Sequence, residues 1–150
     1  MSHTYYQLLY HFVWSTKERR PIITANIKDS LYDYMGGTFR SLKCTPVLFG
    51  GVADHVHICV EVPPRYALAE IIRNVKVSST KWVRQNYVSA SGFEWQEGYG
   101  AFSVSPSARE AVLKYIRNQE AHHSQVNFKE EFLWLLKNHA IKYDEKYLWK

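Results

Sequence analysis

Apolar and polar positions change period several times along the chain, and each change marks a predicted element. Residues 5–14, Tyr-Tyr-Gln-Leu-Leu-Tyr-His-Phe-Val-Trp, are rich in aromatic and β-favouring side chains and read as a strand. Pro21 opens a turn. From 24 to 43, Ile27, Leu31, Tyr34 and Met35 recur near helical spacing behind Thr24, a residue type that caps helices. Gly36-Gly37 predicts an interruption or bend in that helix. Residues 45–52 predict a second strand and 55–62 a third, whose apolar positions alternate with period two. The short connection over 50–54 makes these two antiparallel neighbours.

Pro63-Pro64 ends the third strand. A long basic helix follows over 67–86, its inner face marked by Leu68, Ile71, Ile72, Val75 and Trp82. Residues 93–104, with Trp95, Tyr99, Phe102 and Val104, predict a fourth strand or a hairpin kinked at Gly98 and Gly100. Ser105 or Ser107 would cap a helix from Ala108 to about Ala121, and a last helix would run from Phe128 to His139. The order strand–helix–strand–strand–helix–strand, then helices, predicts an α+β chain of split βαβ type: one antiparallel sheet packed with helices, plus a C-terminal helix. One sheet face then needs covering, by helices or by a second subunit. No linker, repeat or low-complexity tract divides the chain, so residues 1–150 are expected to form one domain.

Composition narrows this picture. A chain of 150 residues with 46% apolar side chains can build a core and is not globally disordered. No run approaches eighteen apolar residues, so no membrane span is expected. The first residues lack the basic-then-apolar pattern of a secretory signal. The two cysteines, Cys44 and Cys59, lie in or beside apolar segments and are expected to be free thiols in a reducing, cytoplasmic setting. The net charge of +5 favours a polyanionic partner only weakly. Its distribution says more: Lys17, Arg19 and Arg20 follow the first strand; Arg73, Lys76, Lys81 and Arg84 share one helical segment; Arg109, Lys114 and Arg117 surround Tyr115. Acidic residues gather later, at Glu130, Glu131, Asp144 and Glu145.

Two groups could carry chemistry. His55 and His57 fall on one side of a strand and can present two imidazoles to one Mg²⁺ or Mn²⁺. They also fit two partly exposed strand histidines. Asp54 suits a third ligand, a partner behind a ligand, or a turn aspartate bonding its own backbone. Tyr115 and Gln119 are one helical turn apart, a spacing that suits a nucleophile beside a metal ligand and equally a core-facing aromatic. A phenol with a pKa near ~10 needs a base or a positive environment before it attacks. Lys114 and Arg117 point elsewhere on the helix and suit phosphate contact better. His122 and His123 are adjacent on a helix, about 100° apart, so one is expected to contact DNA or the sheet and the other to be exposed. His11 is open in role. Zinc is disfavoured, because Cys44 and Cys59 have no CxxC-type partners.

Taken together, the stretches Tyr10–Lys17, Gly51–His57, Lys76–Ser79, Trp95–Ser105 and Tyr115–Gln119 with His122-His123 resemble the IS200/IS605-like single-tyrosine transposases, whose centre is of the His-hydrophobe-His (HUH) type. The resemblance spans most of residues 5–123. It implies a ferredoxin-like fold, a homodimer, and Mg²⁺ or Mn²⁺ held by His55, His57 and Gln119, with Tyr115 as nucleophile. It implies cleavage and rejoining of single-stranded DNA through a 5′-phosphotyrosine, recognition of end hairpins, and no nucleotide cofactor. Arg73, Lys76, Ser78, Ser79, Lys81, Arg84, Arg109, Lys114 and Arg117 are the candidate DNA contacts. Two alternatives share these residues: a host-retained relative that processes repetitive extragenic palindromes, and a binding module that has lost turnover. In the family, Tyr115 of one chain can also serve the histidines of the other.

Overall fold

The computed structural model describes residues 3–150. Four strands form one antiparallel sheet in the order β2-β3-β1-β4: β1 (Leu9–Ser15), β2 (Thr45–Val52), β3 (His55–Glu61) and β4 (Gly100–Ser103). With α1 (Ala25–Ser41) between β1 and β2, and α2 (Leu68–Asn86) between β3 and β4, this is the expected split βαβ arrangement.

Period-two alternation divides the sheet's side chains into two sets. Phe12, Trp14, Val56, Ile58 and Val60 point to one face. There they meet Leu31, Met35 and Phe39 of α1 and Ile71, Ile72 and Val75 of α2 in the main core. Leu9, His11, Val13, His55, His57 and Cys59 belong to the other set. That face is covered by elements of the same chain that follow β4: α3 (Arg109–Arg117), α4 (Gln119–His123) and α5 (Phe128–Asn138). A short α6 (Glu145–Leu148), not expected from the pattern, follows.

Several elements differ from the sequence expectation. The first strand starts at Leu9, because the segment before it carries Tyr5 and Tyr6, both exposed and without ladder partners. Gly36-Gly37 does not interrupt α1. The buried stripe Ile27, Leu31, Met35 and Phe39 holds the helix through two residues that each cost about 1 kcal/mol of propensity. Thr24, Ser105 and Ser107 make no side-chain cap; the two serines bond each other at 3.1 Å. β4 is only four residues long, although Trp95 forms an isolated bridge with Thr16 and Gln96 N–H donates to the Ser15 carbonyl at 2.9 Å. The helix expected over 108–121 is split. A 3₁₀ turn (Pro106–Ala108) precedes α3, and a bend at Asn118 (φ −93°, ψ 19°) separates α3 from α4.

Two glycines set the site's framework. Gly51 sits at φ 150°, and a Cβ there would strike the His55 carbonyl across the tight turn into β3. A Cβ on Gly50 would collide with the Ile116 carbonyl, so this glycine lets the backbone of α3 lie directly on β2. Cys44 and Cys59 are buried free thiols; burial raises both to about 11. No helix among the described residues is long and apolar enough to cross a membrane.

Candidate active site

β3 places His55 and His57 on the face covered by α3–α5, and both are fully buried. Their Nδ1 atoms are tied from behind. His55 Nδ1 lies 2.7 Å from Asp54 Oδ1, and His57 Nδ1 lies 2.8 Å from His11 Nε2. Asp54 and His11 therefore orient the pair rather than join it, an arrangement typical behind metal-binding imidazoles. Both Nε2 atoms point into the space between sheet and helices.

What they meet there is Glu131 of α5, a fully buried carboxylate. Its Oε1 lies 2.9 Å from His57 Nε2, 3.3 Å from His55 Nε2 and 3.0 Å from His123 Nε2. Its Oε2 accepts hydrogen bonds from the Tyr115 hydroxyl and, at 3.1 Å, from Gln119 Nε2. Gln119 Oε1 faces His55 Nε2 at 3.1 Å. The Tyr115 ring stands edge-on to His57, with centroids 5.6 Å apart, and its other neighbours are His11, His122 and Trp134.

The electrostatics follow from burial and this carboxylate. Burial works against a charged His55, but its hydrogen bonds to Asp54 and Glu131 outweigh that and carry it up to about 9. For His57 burial wins over Glu131, and the ring falls to about 4. His11 is held well below the ordinary imidazole value by burial and by His57. Burial alone would raise Glu131; the His123, His55 and His57 rings against its carboxylate instead hold it well below the usual carboxylate range. Burial and the Glu131 charge together push the Tyr115 phenol up.

The donors suit a divalent cation. One ligand atom each from His55, His57, His123 and Glu131 lies within 4.8 Å of all the others. Nitrogen–oxygen separations of 2.9–3.3 Å are those of donors sharing one ion at about 2.1 Å with angles of about 90–105°. His123 Nε2 is buried and makes no hydrogen bond of acceptable geometry, which leaves it free to coordinate. Such a set needs no cysteine, so the missing CxxC partners argue nothing against a metal here.

Tyr115, His55, His57 and Gln119 thus meet as expected, despite the bend at Asn118. Of the paired histidines, His123 meets the sheet at His55, with ring centroids 4.3 Å apart, as one of the two was expected to. His122 is only partly exposed: its Nε2 lies 3.4 Å from Glu131 Oε2, while His123 faces Oε1. A helical spacing of about 100° does not separate them, because one carboxylate offers two oxygens. Glu131 stood in the sequence only as one of the acidic residues that gather late in the chain. Its signal was present in the sequence: it falls among the apolar residues Phe128, Phe132, Leu135 and Leu136, one turn from Phe128 and from Leu135, where a lone charge needs partners.

The candidate DNA contacts separate into groups. Ser79 is buried, accepting from Trp95 Nε1 and donating to the Lys76 carbonyl, so it faces no solvent. Lys76 is a clamp: its Nζ donates to the carbonyls of Gln96, Glu97 and Gly98 at 2.9, 3.2 and 2.7 Å, under the Trp14 and Tyr99 rings. Burial lowers its pKa to about 8. Ser78 donates back to the Asn74 carbonyl within α2. Arg73, Lys81 and Arg84 are exposed along a cleft of about 530 Å³ between α2 and residues 94–99, although Arg84 Nε also donates to the Phe93 carbonyl. Lys114 and Arg117 are exposed on α3, and Arg109 lies 3.5 Å from Glu61.

Comparison with known proteins places this geometry. The family model described as Transposase IS200 like matches residues 4–119. The ISDra2 transposase TnpA of Deinococcus radiodurans is 25% identical over 119 residues, 76% of this chain and 85% of that protein. A crystal structure of a candidate transposase from Deinococcus radiodurans R1 superposes with a TM-score of 0.66 at 22% identity, over 79% of this chain and 95% of that one. A REP-associated tyrosine transposase bound to a REP hairpin superposes at 0.63 with 14% identity, over 84% of this chain and 76% of that one.

Proposed function

The chain belongs to the Transposase IS200 like family, and from that premise we propose that it cuts and rejoins single-stranded DNA, with Tyr115 as nucleophile and His55, His57 and Gln119 at the metal. The observation that carries this reading is the meeting, within one chain, of the Tyr115 hydroxyl and the converging imidazoles on a single buried carboxylate. The Tyr115 oxygen attacks phosphorus in line, a 3′-oxygen leaves and takes up a proton, and a 5′-phosphotyrosine remains. The 3′-hydroxyl of a second strand then attacks that phosphorus, and Tyr115 departs with its proton restored. The bond energy stays in the phosphotyrosine, so no nucleotide cofactor is required.

A divalent ion held at the imidazoles supplies positive charge that polarises the scissile phosphate. Mg²⁺ and Mn²⁺ are the proposed ions, and an imidazole-rich donor set favours Mn²⁺ of the two. Asp54 and His11 hold the ring orientations, and burial keeps water away. Arg109, Lys114 and Arg117 on α3 would take phosphates beside the nucleophile. Arg73, Lys81 and Arg84, across the sheet on α2, would hold a more distant part of the strand, such as the hairpin. In the proposed homodimer each copy carries its own assembled site. Residues 1–150 act as one functional unit in this reading.

The deciding experiment uses end-labelled single-stranded DNA bearing the element's end hairpin and flank. Incubated with Mn²⁺, the protein should form a denaturation-resistant adduct that is lost with EDTA and in Tyr115→Phe. An adduct that survives Tyr115→Phe sinks the assignment. Tight binding without any adduct on a confirmed substrate moves the chain to the binding-module reading. The second catalytic reading, processing of repetitive extragenic palindromes, gains support from a structural likeness to the hairpin-bound relative that extends over 84% of this chain. Preferential cleavage beside dispersed palindromes rather than element ends would select it.

A further inference from the structure

The family match ends at residue 119, yet the charged hub of the site lies beyond it, on α5. Glu131 has 1% of its surface exposed. It cannot turn away, because its helix is seated by Phe128, Phe132, Leu135 and Leu136 against Val13 of β1 and Phe102 of β4. A buried charge in an apolar stripe is costly unless every lone pair is used, and here the two oxygens divide the site between them. Oε1 faces three imidazole nitrogens; Oε2 holds the nucleophile and the Gln119 amide.

We propose that Glu131 is a bridging carboxylate, with Oε1 binding the metal alongside His55, His57 and His123 and Oε2 fixing the Tyr115 hydroxyl. The inference rests on the metal-dependent reading above and adds to it a residue that acts on the reacting atom itself. The short three-atom link Oε1–Cδ–Oε2 would then tie a metal held at the imidazoles to the Tyr115 hydroxyl. Gln119 has a shared duty, since its amide nitrogen holds Oε2 while its oxygen faces His55. His123 enters the site by the same route, from α4 immediately before α5.

One consequence can be read without DNA. If Oε1 binds the metal, the Tyr115 hydroxyl on Oε2 senses that binding through Glu131. The test places 3-fluorotyrosine at position 115 and follows its ¹⁹F resonance while Zn²⁺ or Mg²⁺, both diamagnetic, is titrated, with affinity measured in parallel by calorimetry. In the unaltered chain the resonance should shift in step with metal occupancy. In the near-isosteric Glu131→Gln the affinity should fall at least about tenfold and the shift should vanish at saturating metal. Tyr115→Phe, which leaves Oε1 untouched, should bind metal within about threefold of the parent. Metal that binds the parent without moving the ¹⁹F signal overturns the bridge, as does unchanged affinity in Glu131→Gln. Should Glu131→Gln fail to fold, shown by loss of its cooperative thermal transition, the parent titration still decides. Failure of the transposase reading looks different: a normal metal-linked shift, but no covalent adduct with DNA.

Discussion

The two faces of one sheet are made from alternate residues of the same strands, yet they serve opposite purposes. Phe12, Trp14, Val56, Ile58 and Val60 look onto α1 and α2 and pack into the largest apolar cluster. His11, His55 and His57, one residue out of step, look onto α3–α5 and meet a carboxylate, an amide and a phenol. On the first face burial is the source of stability. On the second it is a cost that hydrogen bonds and charge pairing must offset. The apolar support on that side is correspondingly divided, with Leu9, Cys59, Val104, Leu113 and Ile116 under α3 and Val13, Phe102, Phe132 and Leu135 under α5. The fold rests on one face so that the other can spend stability on chemistry.

The comparison breaks most visibly at Tyr115. Tyr115→Phe removes the oxygen proposed to attack the phosphate, so covalent adduct should fall below detection. Affinity for single-stranded DNA should stay within about threefold, read by denaturing gel and by anisotropy respectively.

Next in size is the difference in how the faces tolerate a cavity. Phe12→Ala should cost about 3–5 kcal/mol in urea unfolding. Phe132→Ala should cost less globally and act locally, speeding amide exchange over α5 while leaving α1 protected. Equal global costs with no local difference would contradict the division drawn here.

On the polar face, Asp54→Asn should weaken metal binding by about 10–100-fold by releasing the back of His55. His57→Ala, which removes a donor outright, should weaken it at least as much. Calorimetric titration with Mn²⁺ measures both, and an Asp54→Asn protein of parental affinity would remove Asp54 from the site.

The smallest effect is the pH response of the metal-free protein. His55, at about 9 in the folded chain and about 6.5 unfolded, contributes stability that is complete below the unfolded value and is lost as pH rises through 9. His57, at about 4 folded, works the other way: the unfolded chain takes up the proton first, so stability falls as pH drops from about 6.5. Glu131 adds to the loss at the acid end, below about 4.3, because its folded value is depressed. In EDTA the urea midpoint should therefore peak near pH ~6.5 and decline on both sides. Lys76, at about 8 in the folded chain, works against the alkaline decline, so the check is made in Lys76→Met, where a midpoint that still climbs through pH 9 would show that His55 is not the charged partner of Asp54 and Glu131.

Most of the scaffold was legible in the chain because its signals are local. Alternation over 55–62 put both histidines on one side, and the period along 67–86 and 128–139 gave helices close to those observed. The errors have physical causes of the same kind. Gly36-Gly37 stays helical because a buried stripe overrides propensity, and β4 is short because only Gly100–Ser103 pair along β1. Ser79 and Lys76 read as phosphate contacts because sequence shows a residue's type and not its partner; Trp95 and three backbone carbonyls had already claimed them.

Sequence by itself determined most of the elements, the shared face of His55 and His57, and the four-residue spacing of Tyr115 and Gln119, because each depends on backbone periods of two or 3.6 residues. Only the tertiary structure decided that Asp54 and His11 stand behind the imidazoles, and that His123 and Glu131 stand before them. Those contacts span up to 76 residues between His55 and Glu131, and they exist only because Gly50 admits α3 to the sheet and an apolar seat brings α5 over the histidines. No local period records which buried charge will meet which ring; that is fixed by how the helices pack.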